Sequence, residues 1–289
     1  MTATDTCSIE QVIDTDRYPL SDPSGQLWND VIAGVRTDLW NVGCCLLPEF
    51  VRPSLREMLR REGAQMAPMA YHQVETVNVY NADPDPSRPA DHPAQTMMER
   101  GNAFVARDVI PSGTVIARLY ASALFQRFVA ACFALPRLHE LADPLAGLCL
   151  NTLSPGRSHP WHFDTNEFTV SLLTQEPQAG GVFEYCPNIR SPQAENLDDV
   201  RDVLDGRGEH LTQRLQPRSG DLQLFTGRYS LHRVTPVRGE TARHSAIFAY
   251  SERPGVIGSA ARTRQLFGRV LPEHLAGASR GVRVDQLLD

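Results

Sequence analysis

The chain has 289 residues, 42% hydrophobic and 21% charged, a globular composition long enough for one large domain with a well-buried core. Its net charge of -6 supplies no basic face for nucleic acid. All 28 basic residues are arginine, which excludes Schiff-base lysine chemistry, a Walker A lysine and a kinase-type lysine.

The acidic, polar opening MTATDTCSIEQVIDTD does not read as a signal peptide, and the longest clean apolar run, Val129 to Leu135, is too short to span a bilayer. The six cysteines (Cys7, Cys44, Cys45, Cys132, Cys149, Cys186) form no CxxC and are expected to be buried free thiols. A cytoplasmic protein with no membrane or nucleic-acid partner is therefore expected; its oligomeric state is left open.

In chain order, residues 1–24 read as irregular. Leu27, Val31, Ile32, Val35 and Leu39 have helical spacing, and 43–48 read as a short buried strand closed by Pro48. Ser54 to Gln65 is a charged helix, and 73–80 alternate as a strand. The Pro- and Asp-rich stretch 82–98 is a long loop, either a lid over a site or a surface insert. Thr114 to Leu135 predicts one amphipathic helix, ended by Pro136. After Leu148, short β-rich segments alternate with turns, as in an antiparallel sandwich or barrel, interrupted by a polar helix over 196–204. The last 30 residues read as a helix and tail over the sheet.

The chemistry concentrates in Ser158-His-Pro-Trp-His-Phe-Asp-Thr-Asn166. On a strand, His162 and Asp164 point the same way, offering two-thirds of a 2-His-1-carboxylate facial triad. His232, 68 residues beyond Asp164, is placed to complete it from a separate strand. Arg243 and Ser245 share a strand face, and a guanidinium with a hydroxyl beside it suits a distal carboxylate. Trp161 should point into the core and Arg233 away from a metal. Arg238, a rival to Arg243, sits in a turn beside Gly239. Asp221 reads as a turn residue. His72, His92, His139, His210, His244 and His274 have no partner at ligand spacing.

An HxD, a later His and an RxS on β-rich segments resemble the Fe(II)/2-oxoglutarate-dependent dioxygenases. More closely, WHFDTNEFTVSLLTQ, GGVFEYCPNIR, HRVTPV and LFGR are similar to the group containing free-amino-acid radical halogenases, such as those acting on lysine, and their hydroxylase relatives. The likeness covers most of the chain, most securely from residue 100 onward. It implies an α+β fold with a double-stranded β-helix (jelly roll) core flanked by helices. The expected single domain, 1–289, divides into a mainly helical flanking segment (residues 1–147), a catalytic core (residues 148–255) and a tail (residues 256–289). The resemblance also implies Fe(II) held by His162, Asp164 and His232, 2-oxoglutarate held by Arg243, Ser245 and Asn151, O2 as oxidant, and a small-molecule substrate, a free amino acid or derivative.

One departure matters. The halogenases carry Gly or Ala where this chain has Asp164, and that vacancy admits chloride. An intact carboxylate implies the hydroxylase branch, with desaturation or cyclisation as the alternative outcome. His159 is a candidate substrate contact or a solvated turn histidine. Thr165, with Asn166, faces the substrate or satisfies a turn. Glu184 pairs with a substrate ammonium or lies on a solvated face. Arg107 binds a substrate carboxylate or makes a surface salt bridge. Two rival classes share the residues: a jelly-roll binding protein without turnover, and a zinc hydrolase built on the same three ligands.

Overall fold

Strand alternation sorts side chains onto two faces, and in this chain the two faces meet different partners. The computed structural model describes residues 8–82, 85–166, 168–276 and 287–288. Its major sheet has six antiparallel strands in the order β1 (Cys44–Leu47), β12 (Leu222–Phe225), β8 (Thr169–Gln175), β15 (Arg243–Phe248), β6 (Leu148–Leu153) and β4 (Ala103–Val105). A four-stranded sheet is ordered β11 (Gln213–Leu215), β10 (Phe183–Cys186), β13 (Leu231–Val234), β7 (His159–His162). The two meet through Cys44, Leu153 and Phe225 of the first and Phe183, Tyr185 and Val234 of the second. Short pairs join β14 (Val237–Arg238) to β9 (Ala179–Gly180), β16 (Tyr250–Ser251) to β5 (His139–Glu140), and β2 (Glu75–Val77) to β3 (Met98–Arg100). This is a double-stranded β-helix with flanking helices, an α+β fold.

The outer face of the major sheet is dry. Val170, Leu172, Leu222, Leu224, Ala246 and Phe248 form one core with the buried faces of the helices. Those helices are α1 (Ile9–Val12), α2 (Gln26–Val42), α3 (Arg56–Met66), α4 (Val115–Ala121) and α5 (Ala123–Cys132). Phe50, packed on Phe125 and Phe128 at centroid distances of 5.7 and 5.9 Å, sits at its centre. The residues between these on the same strands (Thr169, Ser171, Gln223, Arg243, Ser245, Asn151) are polar and turn to the other side, where the second sheet lies. The remaining helices are α6 (Leu197–Leu204), α7 (Ala260–Phe267) and α8 (Pro272–Ala276).

Three expectations change. Residues 114–135 form two helices bent by 69°, not one. Ser122 is extended (φ -75°, ψ 119°), its N–H closes α4 on Leu119, and its Oγ accepts from Phe125 N at 3.3 Å to cap α5. A serine that can cap the next turn competes with continued helix. Besides the expected strand β1, the first 147 residues also lend β4 to the major sheet. The described portion of the 82–98 loop ends at Met98, where the strand β3 begins, and its Ala94 packs with Tyr80, Trp161 and Phe163.

No single described helix is long and apolar enough to cross a membrane. Cys44, Cys45, Cys132, Cys149 and Cys186 are free and buried, and Cys7 lies outside the described residues.

Candidate active site

Strand pairing assembles the triad. β13 runs antiparallel to β7 with His232 opposite His162, so both imidazoles leave the same face with ring centroids 4.0 Å apart. Asp164, two residues on from His162, keeps that direction and is fixed by its N–H to Gly227 O (3.1 Å). Its Oδ1 lies 3.7 Å from His162 Nε2 and 3.5 Å from His232 Nε2. One ligand atom from each of the three residues falls within 4.8 Å of the others, a set that could hold a metal ion.

The surroundings prepare these atoms. His162 Nδ1 meets Pro160 O and His232 Nδ1 meets Ser230 O, each at 2.9 Å, so Nδ1 donates and Nε2 keeps its lone pair for a metal. Asp164 Oδ2 accepts from Thr169 Oγ1 at 2.6 Å. Burial raises the Asp164 carboxyl, but His232, His162 and Thr169 outweigh it and hold it below the ordinary range. Burial, then His232, pushes the His162 imidazole down. The pocket thus presents an anionic carboxylate and a neutral imidazole, the states a divalent cation needs. A Cβ at Gly227 would come within 1.9 Å of Asp164 Oδ2, so only glycine leaves the carboxylate its place. Behind the strand, Phe163 stacks on Tyr80 (5.8 Å, 18°) beneath the Arg190 guanidinium, 3.7 Å away.

Arg243 lies on the inner face of β15, 6% exposed, with Nη1 donating to Ser245 Oγ at 3.0 Å. Among the described residues no carboxylate comes within ion-pair distance of it. Burial alone lowers its pKa to about 10, so it stays charged. A buried cation without a counter-ion costs several kcal/mol on the scale of about 3–5 for broken buried pairs, so this one is built to receive an anion. Asn151 pairs with Ser245 across β6 and β15, and its Oδ1 accepts from Asn102 Nδ2 at 3.3 Å. The three residues expected to hold the co-substrate are therefore brought together.

Of the expected substrate contacts, His159 stacks on His162 (3.8 Å, 22°); burial first, then His162 and Arg100, push it well below the usual histidine range. Thr165 is half-buried in the bend after Asp164. Glu184 is not brought to the triad. Tyr185 is the residue paired with His232, so Glu184 points the opposite way, where Arg214 and Arg233 hold it at 2.9 and 2.6 Å. Arg107 is not brought there either: the chain leaves β4 with Arg107 N on Leu145 O, and the guanidinium donates to Glu140 (2.6 Å) over the Tyr120 ring. Trp161 packs in the core under Arg233 (4.5 Å), and Arg238 is exposed. His244 lies on the outer face of the sheet against Gly63, and His274 is bound by Asp143.

Sequence reading passed over Thr169, Gly227 and Arg190, and also Arg100 and Arg262. Arg100 is buried, with Nη2 on Glu75 while Nε and Nη1 have no partner among the described residues. Among these, Thr169, five residues after Asp164, and Gly227, five before His232, stood near a recognised ligand in sequence.

Jelly roll, triad and buried arginine together define an Fe(II)/2-oxoglutarate-dependent oxygenase, an oxidoreductase that uses iron, 2-oxoglutarate and O2. Residues 28–256 match the family model described as Halogenase D, and the chain belongs to that family. Comparison with curated protein sequences gives no match. Among solved structures, a Trichoplax adhaerens prolyl hydroxylase in complex with a hypoxia inducible factor peptide fragment is 16% identical, with TM-score 0.51, covering 80% of this chain and 96% of its own. The epimerase SnoN, in complex with Fe3+, alpha ketoglutarate and nogalamycin RO, is 12% identical with TM-score 0.51, covering 77% and 84%. The carbocyclase SnoK from nogalamycin biosynthesis is 15% identical with TM-score 0.50, covering 77% and 87%. At these identities the likeness is one of fold.

Proposed function

We propose that the protein hydroxylates a small polar substrate, a free amino acid or close derivative, in the cytoplasm. The observation that carries this reading is the Asp164 carboxylate, whose Oδ1 stands 3.5 and 3.7 Å from the two imidazole Nε2 atoms in the place where a halide would otherwise enter. In this reading His162 Nε2, Asp164 Oδ1 and His232 Nε2 hold the iron. Arg243 and Ser245 hold the distal carboxylate of 2-oxoglutarate, and Asn151 borders it. With iron and co-substrate bound, O2 converts 2-oxoglutarate to succinate and CO2 and delivers one oxygen atom to a substrate C–H bond. The chain's own work is positional. Thr169 and Gly227 keep Asp164 in place, the Pro160 and Ser230 carbonyls orient the imidazoles, and the dry outer core keeps the sheet rigid. Arg100, with two unpartnered buried N–H groups beside neutral His159, supplies a seat for a substrate carboxylate. The buried free thiols are in keeping with a reducing compartment.

The test has two stages. Anaerobic addition of Fe(II) and 2-oxoglutarate should produce a visible metal-to-ligand charge-transfer band. A panel of free amino acids with O2 should then yield succinate and a product heavier by one oxygen atom. A chlorinated product in the presence of chloride, or no product from any amino acid, would sink this reading.

A further inference from the structure

We propose that the substrate is an α-amino dicarboxylate, of the aspartate or glutamate class, recognised jointly by Arg100 and Arg262. This rests on the amino-acid reading above and narrows it.

Arg100 ends β3. Its neighbour Gly101 donates to Ser158 O at 3.1 Å, which sets the arginine against the strand that carries His159 and His162. The Arg100 side chain is 3% exposed, and one carboxylate, Glu75, takes one of its nitrogens. The second guanidinium arrives from the C-terminal side. Helix α7 packs on β4 through Phe267 against Phe104 (6.3 Å), and Arg262 stands in its first turn, its N–H on Ser259 Oγ at 3.2 Å. The Arg262 guanidinium donates to Gln265 and lies within electrostatic reach of Arg100, Asp164 and Glu75. It is half-buried, and its pKa, lowered by that burial to about 10, leaves it charged.

Charge decides the substrate. The iron, its three ligands, 2-oxoglutarate and Arg243 balance among themselves. Among the described residues Arg100 and Arg262 then face Glu75 alone, because Asp164 is committed to the metal and to Thr169. An excess cation in a cluster built on the buried Arg100 is costly. A neutral amino acid, one carboxylate and one ammonium, leaves that excess untouched, and a basic side chain increases it. A second carboxylate removes it, and a planar guanidinium fork is the group that binds carboxylates in two-point fashion.

The experiment titrates anaerobic enzyme, loaded with Fe(II) and 2-oxoglutarate, with L-aspartate, L-glutamate, L-leucine and L-lysine. The readout is perturbation of the visible charge-transfer band. L-aspartate or L-glutamate should act at roughly tenfold lower concentration than the other two, the effect of one charge-assisted contact. Arg262→Gln should erase that preference, and Arg262→Lys should retain some of it. A wild-type preference for leucine or lysine, or no response to any of the four, with the band present, overturns the inference and leaves the oxygenase standing. Failure of the band to form on adding 2-oxoglutarate instead removes the assignment on which both rest.

Discussion

Side chains that never touch a reactant decide whether the three metal-facing groups work. Gly227 is the sharpest case, since a methyl there would lie 1.9 Å from Asp164 Oδ2. Gly227→Ala should weaken Fe(II) binding by about ten- to a hundredfold, the usual cost of disturbing groups around a metal ligand, with circular dichroism unchanged. An Fe(II) titration against wild type measures it, and equal affinity would mean that Asp164 is free to move. Arg243 gives a separable test. Arg243→Ala removes a charged contact of about 1.5–3 kcal/mol, which should raise the 2-oxoglutarate concentration needed for turnover at least about tenfold. The amino-acid requirement should rise far less, and the opposite split would reassign the arginine to substrate. At this scale HxD and RxS could be read by eye, because residues two apart on a strand share a face. Glu184 could not be placed that way. Which of Glu184 and Tyr185 faces inward depends on which one pairs with His232, and that parity belongs to strand register.

Among the elements, α7 depends on an anchor outside itself. Asp143 is fully buried in the loop before β6 and accepts from Leu145 N and Ala146 N, both at 2.8 Å. It also takes Gly258 N, just ahead of α7, at 2.9 Å and His274 Nε2, in α8, at 3.2 Å. One carboxylate therefore pins both ends of the segment that presents Arg262. Burial raises its pKa, but the N–H groups of Ala146, Leu145 and Gly258 and the His274 ring more than compensate, and the net shift is downward. A depressed carboxyl pKa contributes stability that is complete above the unfolded value of about 4 and is lost as pH falls through the folded one. Melting temperature should thus drop on acidification below about pH 4. Asp143→Ala should lower the melting temperature at neutral pH, since backbone donors costing about 1–3 kcal/mol each lose their acceptor, and should flatten some of that acid dependence. A melting series across pH for both proteins checks the two together; identical curves would show that the anchor contributes nothing. The break at Ser122 belongs to this scale too. The hydrophobic period ran on through it, and only the competition between a cap and continued helix split the segment.

For the molecule as a whole, the two sides of one sheet divide the labour. The outward side is apolar and carries the helices, which holds the strands rigid. The inward side keeps Thr169, Arg243, Ser245 and Asn151 within a shared space. A chain with net charge -6 nonetheless buries several arginines, Arg100, Arg190 and Arg243 among them. The residue types needed for an iron and keto-acid site, the β-rich second half and the helical flanks were determined by local pattern, because side-chain alternation and helical period are properties of a few neighbouring residues. Tertiary structure alone set His232 opposite His162, turned Glu184 and Arg107 away, and brought Arg100 and Arg262 within electrostatic reach of each other from segments some 160 residues apart. Such meetings follow from strand register and from how a helix lies on a sheet edge. These are set by packing summed over the whole core, and no short stretch of sequence contains them.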